Sequence, residues 1–203
     1  LVEKGREIEL FPGVEDWFRR INAFGASQGV QVEHYVISSG LREIIEGSSI
    51  SGEFREIYAS EFHYDETGRP VWPKLAVNFT AKTQFVYRIN KGVLDVSDDK
   101  TLNDSMPDDS KRVPFPNMVY LGDGLSDVPC MKMMRAYGGQ AIAVYQNSNR
   151  AGVEDLLAKR RVDFIFPADY GEGQALEKTV QNIICKIAVA DRLWEENLRQ
   201  LKH

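Results

Sequence analysis

The most informative part of the sequence is Val119-Tyr120-Leu121-Gly122-Asp123-Gly124-Leu125-Ser126-Asp127. The apolar run before Gly122 predicts a buried strand, and the apolar residues after Asp127 predict a helix. A strand followed directly by a helix is typical of a parallel sheet, where ligands bind beyond the carboxyl ends of the strands. We therefore expect Asp123 to lie at a sheet edge that is able to bind a ligand.

Two carboxylates in this stretch, Asp123 and Asp127, predict a Mg²⁺ site. Mg²⁺ takes one or two carboxylates and keeps water or phosphate oxygens as its other ligands. The glycines on either side of Asp123 allow a sharp turn and the close approach of a ligand. A hairpin turn is disfavoured because a helix follows, and a dinucleotide-binding loop is disfavoured because Gly-x-Gly-x-x-Gly is absent.

Short apolar strands alternate with amphipathic helices on both sides of this stretch, which predicts an α/β fold with a mostly parallel sheet. The predicted strands cover residues 34–37, 54–64, 118–121, 141–145 and 162–166. The predicted helices begin at Val14, Leu41, Thr80, Val128 and Val153. A long amphipathic helix follows them, with an apolar stripe of Leu176, Val180, Ile183, Ile184 and Ile187. A turn signal at residues 65–68 predicts a small β-hairpin.

The composition is that of an ordinary globular protein, with 203 residues, 43% of them apolar and 27% charged. A net charge of −5 argues against broad binding to nucleic acid or acidic lipid. No apolar run approaches the roughly 20 residues that cross a bilayer. Cys130 and Cys185 lie in helix-like apolar surroundings and lack CxxC spacing, so we interpret them as reduced core thiols and expect a cytoplasmic protein.

Two further candidates come from other parts of the chain. Ser38, Ser39 and Gly40 follow a predicted strand, where a hydroxyl and free N–H groups at a helix start form either an anion site or a simple N-cap. Lys82 falls in the first turn of a helix that Thr80 is suited to cap and that we expect to end at Gly92. Taken alone it is a typical surface lysine, although a cation at this end of a helix suggests a compensating anion.

Residues 95–116 are rich in aspartate and contain or adjoin three prolines. We predict an acidic surface loop inserted in the domain. The alternative is a divalent-cation site, which is disfavoured because EF-hand spacing is absent.

In this order, a strand ending in Ser38, then Lys82, then strand-Gly-Asp-Gly-x-x-Asp-helix, the sequence resembles the haloacid dehalogenase-like (HAD) hydrolases. The resemblance is closest to the phosphoserine phosphatase-like branch, and residues 11–14 (Phe-Pro-Gly-Val) fit it too. It extends from residue 11 to about residue 180. It implies a three-layer Rossmann-like core over residues 1–203.

The resemblance also implies roles for the candidate residues in a Mg²⁺-dependent phosphatase that acts on a small phosphate monoester. Ser38 would hydrogen-bond a phosphoryl oxygen, beside Ser39 and Gly40 in the phosphate-binding turn. Lys82 would neutralise the phosphate, Asp123 would bind Mg²⁺, and Asp127 would support the metal site or Lys82. Positioning and charge neutralisation are what phosphoryl transfer needs most.

One family motif is absent. The family's nucleophile is the first Asp of an Asp-x-Asp motif, which forms an aspartyl-phosphate, and no such motif follows an apolar strand in residues 1–203. We expect it, with most of the substrate-gating cap, upstream of residue 1. The alternative is a non-catalytic HAD-like scaffold that binds a partner or a phosphorylated ligand. A receiver-type or nucleotide-binding module is disfavoured because neither an acidic nucleophile nor a Gly-rich loop follows the first strand.

The family's first strand lies in the middle of the sheet, between the strands that end at Ser38 and Leu121. The resemblance therefore implies that the central strand is missing from residues 1–203, which should not fold alone as a complete domain. Direct pairing of residues 33–37 with 117–121 would contradict this expectation. The final helix, with Trp194 and Leu198 beyond its main apolar stripe, offers a contact for an oligomer.

Overall fold

The computed structural model describes residues 1–201 of an α/β protein with two three-stranded sheets. The strands are β1 (Tyr35–Leu41), β2 (Glu56–Tyr64), β3 (Pro70–Leu75), β4 (Val119–Gly122), β5 (Gln140–Tyr145) and β6 (Phe164–Pro167). The helices are α1 (Val2–Arg6), α2 (Val14–Ser27), α3 (Arg42–Gly47), α4 (Lys82–Lys91), α5 (Asp99–Asn103), α6 (Val128–Ala136), α7 (Arg150–Ala158) and α8 (Ala175–Leu201).

The chain forms two compact units. The first comprises Leu1–Glu9 and His34–Ile165, and the second comprises Leu10–Glu33 and Phe166–His203. All the predicted site residues belong to the first unit.

The first sheet of this unit has the order β1-β2-β3. The first half of β2 pairs in parallel with β1, from Tyr35 opposite Glu56 to Ile37 opposite Tyr58. Its second half pairs antiparallel with β3, which confirms the predicted hairpin. The turn is closed by the Asp65 carboxylate, which accepts hydrogen bonds from neighbouring N–H groups.

The second sheet has the order β4-β5-β6, and β4 pairs in parallel with β5 from Val119 opposite Gln140 to Gly122 opposite Ala143. Within residues 1–201, β1 and β4 belong to different sheets and do not pair with each other. Direct pairing of residues 33–37 with 117–121, which would contradict a missing central strand, is therefore not found within residues 1–201. The central strand itself stays a prediction.

Both sheets of the first unit contribute to one apolar core. Tyr58 of β2 stacks on Phe85 of α4 with 4.6 Å between ring centroids, and Met131 and Ala141 are fully buried in the same cluster. Burial raises the pKa of the Cys130 thiol, which lies in this core, to about 11. The expected core position of this cysteine is confirmed.

Helix α4 starts differently from the sequence prediction. Thr80 does not cap it through its side chain. Instead the Asn78 carboxamide oxygen accepts hydrogen bonds from the Thr80 and Ala81 N–H groups and from the Thr80 hydroxyl. The predicted end at Gly92 is confirmed, since this residue has a φ of +77° that favours glycine.

The second unit packs α2 against α8. The buried stripe of α8 matches the sequence prediction and consists of Leu176, Val180, Ile183, Ile184 and Ile187. The guanidinium of Arg20 on α2 binds the buried Glu177 carboxylate at 2.6 Å. From Val189 onward every described residue of α8 is exposed. The helices in residues 1–201 include none whose length and apolar character would let it span a membrane.

Candidate functional site

The turn after β4 places Asp123 where the sequence predicts it. The strand ends at Gly122, a short 3₁₀ turn covers Leu125–Asp127, and α6 begins at Val128. Asp123 therefore lies at the carboxyl end of a parallel strand and is exposed, whereas Asp127 is only 5% exposed. The two carboxylates face different environments although they are four residues apart.

Lys82 lies beside this turn and not in bulk solvent. It is the first residue of α4 and is 5% exposed. Its ammonium donates to Asp127 Oδ1 at 2.7 Å and approaches Ser126 Oγ at 3.4 Å. The compensating anion expected at this helix start is thus Asp127. An ion pair buried on both sides is costly to break, because the remaining charge would lie unpaired in an apolar environment.

Asp127 is held by further donors. The Tyr120 hydroxyl donates to Asp127 Oδ1 at 2.8 Å, and the Asp123 N–H donates to Asp127 Oδ2 at 3.3 Å. Burial, and then the charge of Asp127, strongly raise the pKa of Tyr120, so its hydroxyl stays protonated. Because both oxygens of Asp127 accept hydrogen bonds from the protein, this carboxylate is better suited to orienting its neighbours than to binding a metal directly.

The Asp123 backbone is fixed on both sides, while its carboxylate remains available. Its carbonyl accepts a hydrogen bond from Asn149 Nδ2 at 3.0 Å, and Asn149 Oδ1 accepts one from the Gln146 N–H. Within residues 1–201 no side chain hydrogen-bonds or ion-pairs with the Asp123 carboxylate. This carboxylate can therefore take a cation as a ligand.

The two glycines around Asp123 have different reasons to be there. A Cβ at Gly122 would lie 2.7 Å from Asp127 atoms, so only glycine leaves room for that carboxylate against the strand. A Cβ at Gly124 would meet nothing within 4 Å, and its backbone is extended. Gly122 is needed because a side chain there would collide with Asp127. At Gly124, no atom within 4 Å excludes a side chain.

The turn around Ser38 is built differently from the prediction. The strand does not end at Ser38 but continues to Leu41, and the β1–β2 register shifts between Ile37 and Leu41. Helix α3 begins only at Arg42, so Ser38 is not at a helix start. Ser38 Oγ accepts the Gly40 N–H at 3.0 Å, a local hydrogen bond that occupies one of the proposed anion-binding groups.

The structure brings together three of the predicted residues, namely Lys82, Asp123 and Asp127. Within residues 1–201 no hydrogen bond or ion pair joins Ser38, Ser39 or Gly40 to them. The role of the Ser38 turn in phosphate binding stays a prediction.

The acidic segment 95–116 is organised around a buried cation that the sequence analysis missed. Arg88 of α4 is 1% exposed. Its guanidinium donates to the carbonyls of Asp95, Val96 and Asp98 and to the carboxylate of Asp99. This arrangement gives the first part of the segment a defined structure, including the short helix α5.

Two carboxylates of this segment close local turns. Asp95 accepts hydrogen bonds from the Ser97 N–H and hydroxyl, and Asp98 accepts one from the Thr101 N–H. These bonds lower the pKa of both carboxyls. Within residues 1–201 no group of three or more His, Cys, Asp or Glu side chains is placed to hold a metal ion, either in this segment or around Asp123. The cation site considered for this segment therefore has no support.

Tyr120 and Asn149 were also missed, although the sequence carried a signal for each. A tyrosine inside an apolar strand brings a hydroxyl that needs a partner when it is buried. Asn149 follows the next strand, β5, and the carboxyl ends of adjacent parallel strands meet at one edge of the sheet.

Comparison with known proteins adds no family. No protein-family model matches the chain. A similar protein is an uncharacterized protein of Borreliella burgdorferi, which is 26% identical over 206 aligned positions that span 91% of this chain and 70% of that protein. These comparisons carry no information on function.

Proposed function

We propose that the residues after β4 and at the start of α4 form the phosphate and metal half of a Mg²⁺-dependent phosphatase site. The substrate is a small phosphate monoester, and the reaction passes through an aspartyl-phosphate, as in the HAD-like hydrolases that the sequence resembles. The observation that carries this proposal is the buried Lys82–Asp127 ion pair, 2.7 Å long, beside the available carboxylate of Asp123.

The arrangement suits a phosphate ester. A phosphate dianion needs positive charge close to its oxygens, and the Lys82 ammonium supplies this at a sheet edge. Asp127 holds the ammonium in place, and Asn149 holds the backbone of Asp123. Preorganised charges of this kind stabilise the charge that develops during phosphoryl transfer without having to reorganise.

The donor set at Asp123 fits Mg²⁺ with one protein carboxylate. This ion is satisfied by one or two carboxylates, with phosphate oxygens and water as the remaining ligands. Asp123 would bind it directly, and Asp127 would contribute through the Asp123 N–H and Lys82. When bound, Mg²⁺ would neutralise the phosphate oxygens and orient them.

A HAD-like three-layer core is part of the proposal. It is supported by the alternation of parallel strands and helices and by the separation of β1 from β4 into two sheets. It requires a strand carrying Asp-x-Asp between β1 and β4, and residues 1–203 contain no such motif. The nucleophile would therefore have to be supplied by a segment outside these residues.

The absence of Asp-x-Asp in residues 1–203 also favours a second candidate, a non-catalytic scaffold that binds a phosphorylated ligand through Lys82. Intact-mass measurement and N-terminal sequencing of the natural polypeptide separate the two. An upstream Asp-x-Asp supports the enzyme, whereas a natural start at Leu1 supports the scaffold.

The phosphatase proposal is tested by hydrolysis of p-nitrophenyl phosphate by the full natural polypeptide, with Mg²⁺ and with EDTA. We expect Mg²⁺-dependent turnover that Asp123→Asn lowers by more than about 100-fold, since this substitution removes the charged metal ligand. The matched control is Asp109→Asn, an exposed carboxylate in the acidic segment, which should leave turnover unchanged. Undiminished activity of Asp123→Asn would remove the metal assignment.

Two further expectations belong to this proposal. A reducing cytoplasmic location is supported by Cys130 and Cys185, which form no disulfide. Self-association through α8 is supported by Trp194 and Leu198, which are 57% and 37% exposed on the part of the helix where no described residue is buried. Sedimentation of the natural polypeptide tests the latter, and a strictly monomeric species would contradict it.

A further inference from the structure

The hydroxyl of Tyr120 has a place in the site that the phosphatase proposal does not assign. It donates to Asp127 Oδ1 at 2.8 Å, and Lys82 Nζ donates to the same oxygen at 2.7 Å. One carboxylate oxygen therefore joins a donor from β4 to a donor from α4. The other oxygen faces the Asp123 N–H at 3.3 Å, so the carboxylate is held at both ends.

The strand explains why the tyrosine is at this position. Alternate residues of a strand point to the same face, so Tyr120 and Gly122 share one face of β4. Gly122 leaves the space that Asp127 occupies, since a Cβ there would lie 2.7 Å from Asp127. Tyr120 lies next to that space, and its protonated hydroxyl donates a hydrogen bond to the carboxylate of Asp127. The strand β4 thus provides both the space and a hydrogen-bond donor for the buried carboxylate of Asp127.

The ammonium of Lys82 has three N–H groups. Within residues 1–201 it contacts Asp127 and, at the longer distance of 3.4 Å, Ser126 Oγ. At least one N–H remains for an outside acceptor, and its direction depends on where Asp127 is held. If the Asp127 carboxylate were free to rotate, the Lys82 ammonium would change its position together with it.

We propose that Tyr120 is a positioning residue, which fixes Asp127 and through it aims the free N–H of Lys82 at a phosphate oxygen. This inference rests on the proposed function, because it assumes that phosphate is the ligand of Lys82. Tyr120 itself touches neither the phosphate nor the metal ion. Tyr120 acts by restricting the orientation of the Lys82–Asp127 ion pair. That restricted orientation in turn raises the affinity for phosphate.

The test compares Tyr120→Phe with the wild type in the full natural polypeptide by calorimetric titration with inorganic phosphate in excess MgCl₂. Phe keeps the ring and removes only the hydroxyl, so the thermal midpoint should fall by only a few degrees. We expect phosphate to bind about 5- to 10-fold more weakly, a change of the size that one charge-assisted hydrogen bond supports. The matched control is Tyr145→Phe at the end of β5, which should bind phosphate like the wild type.

Phosphate affinity separates positioning from mere stability. A structural hydroxyl would change the thermal midpoint but not the affinity of folded molecules, which remain the great majority at 25 °C. Equal affinity in the wild type and Tyr120→Phe would overturn the role of Tyr120 and leave the proposed function intact. A wild type that binds no phosphate would overturn the proposed function and this inference together. If Tyr120→Phe does not fold, Tyr120→Met gives the same comparison without a donor.

Discussion

Helix α4 carries two buried cations with different surroundings. Lys82 at its start is paired with Asp127, whose side chain is also buried. Arg88, almost two turns later, uses its guanidinium mainly for main-chain carbonyls, and its one carboxylate partner, Asp99, has a side chain that is 76% exposed. The same helix thus contributes Lys82 to a buried ion pair at its start and Arg88 to the hydrogen bonds that order a loop further along.

The difference follows from the chemistry of the two side chains. The planar guanidinium of Arg88 presents several donors at fixed angles and can bind several carbonyls at once, which suits the ordering of a loop. The ammonium of Lys82 is a point charge with rotatable donors, and its single buried counter-ion leaves a donor for an outside ligand. Arg88 also has one buried donor, Nε, without a hydrogen-bond partner in residues 1–201, so a spare donor does not by itself indicate a ligand site. Lys82 differs because it lies beside the turn that carries the exposed Asp123 at the end of a strand.

Removal of the anion beside Lys82 should have the largest effect. Asp127→Ala leaves the ammonium buried and unpaired, which we expect to lower the free energy of unfolding by about 3–5 kcal/mol. Asp99→Ala is the matched control, because its carboxylate is exposed and Arg88 keeps its carbonyl partners, so a loss of at most about 1 kcal/mol is expected. Urea unfolding of the natural polypeptide measures both, and equal losses would erase the distinction between the two cations.

Arg88→Lys should come next. The substitution keeps the charge but loses the planar set of donors, and two lost charge-assisted hydrogen bonds cost about 3 kcal/mol. We also expect faster hydrogen exchange of the amides at residues 96–101, with no change at residues 123–127. Faster exchange around Asp127 as well would indicate that Arg88 supports the Lys82 site and not only the acidic segment.

Gly122→Ala should have the smallest of these effects, about 2 kcal/mol, because the new Cβ forces Asp127 to move and overpacks a tight site. Gly124→Ala, whose Cβ meets nothing within 4 Å, should change the free energy of unfolding by less than about 0.5 kcal/mol. Thermal unfolding of the two variants gives the comparison. Indistinguishable midpoints would show that Asp127 does not need the space at Gly122.

Local patterns predicted the elements well. The β4 strand, the α6 helix and the buried stripe of α8 follow from apolar periodicity, which depends only on neighbouring residues. Boundaries were less certain where two local signals compete. At the start of α4, Asn78 and Thr80 are both suitable capping residues, and the structure uses the side chain of Asn78. Near Ser38, the strand continues through a shift in register past a sequence that is typical of a turn.

The sequence by itself determined the α/β class, the order of the strands and longer helices, and the position of Asp123 at the end of a strand, but it did not predict the short helices α1 and α5. Each of these depends on hydrophobic periodicity and turn chemistry over a few residues. Only the tertiary structure determined that Lys82 pairs with Asp127, that Tyr120 holds the same carboxylate, and that Arg88 orders the acidic segment. The physical reason is that a buried charge or hydroxyl must find a partner, and which partner it meets depends on how distant elements pack.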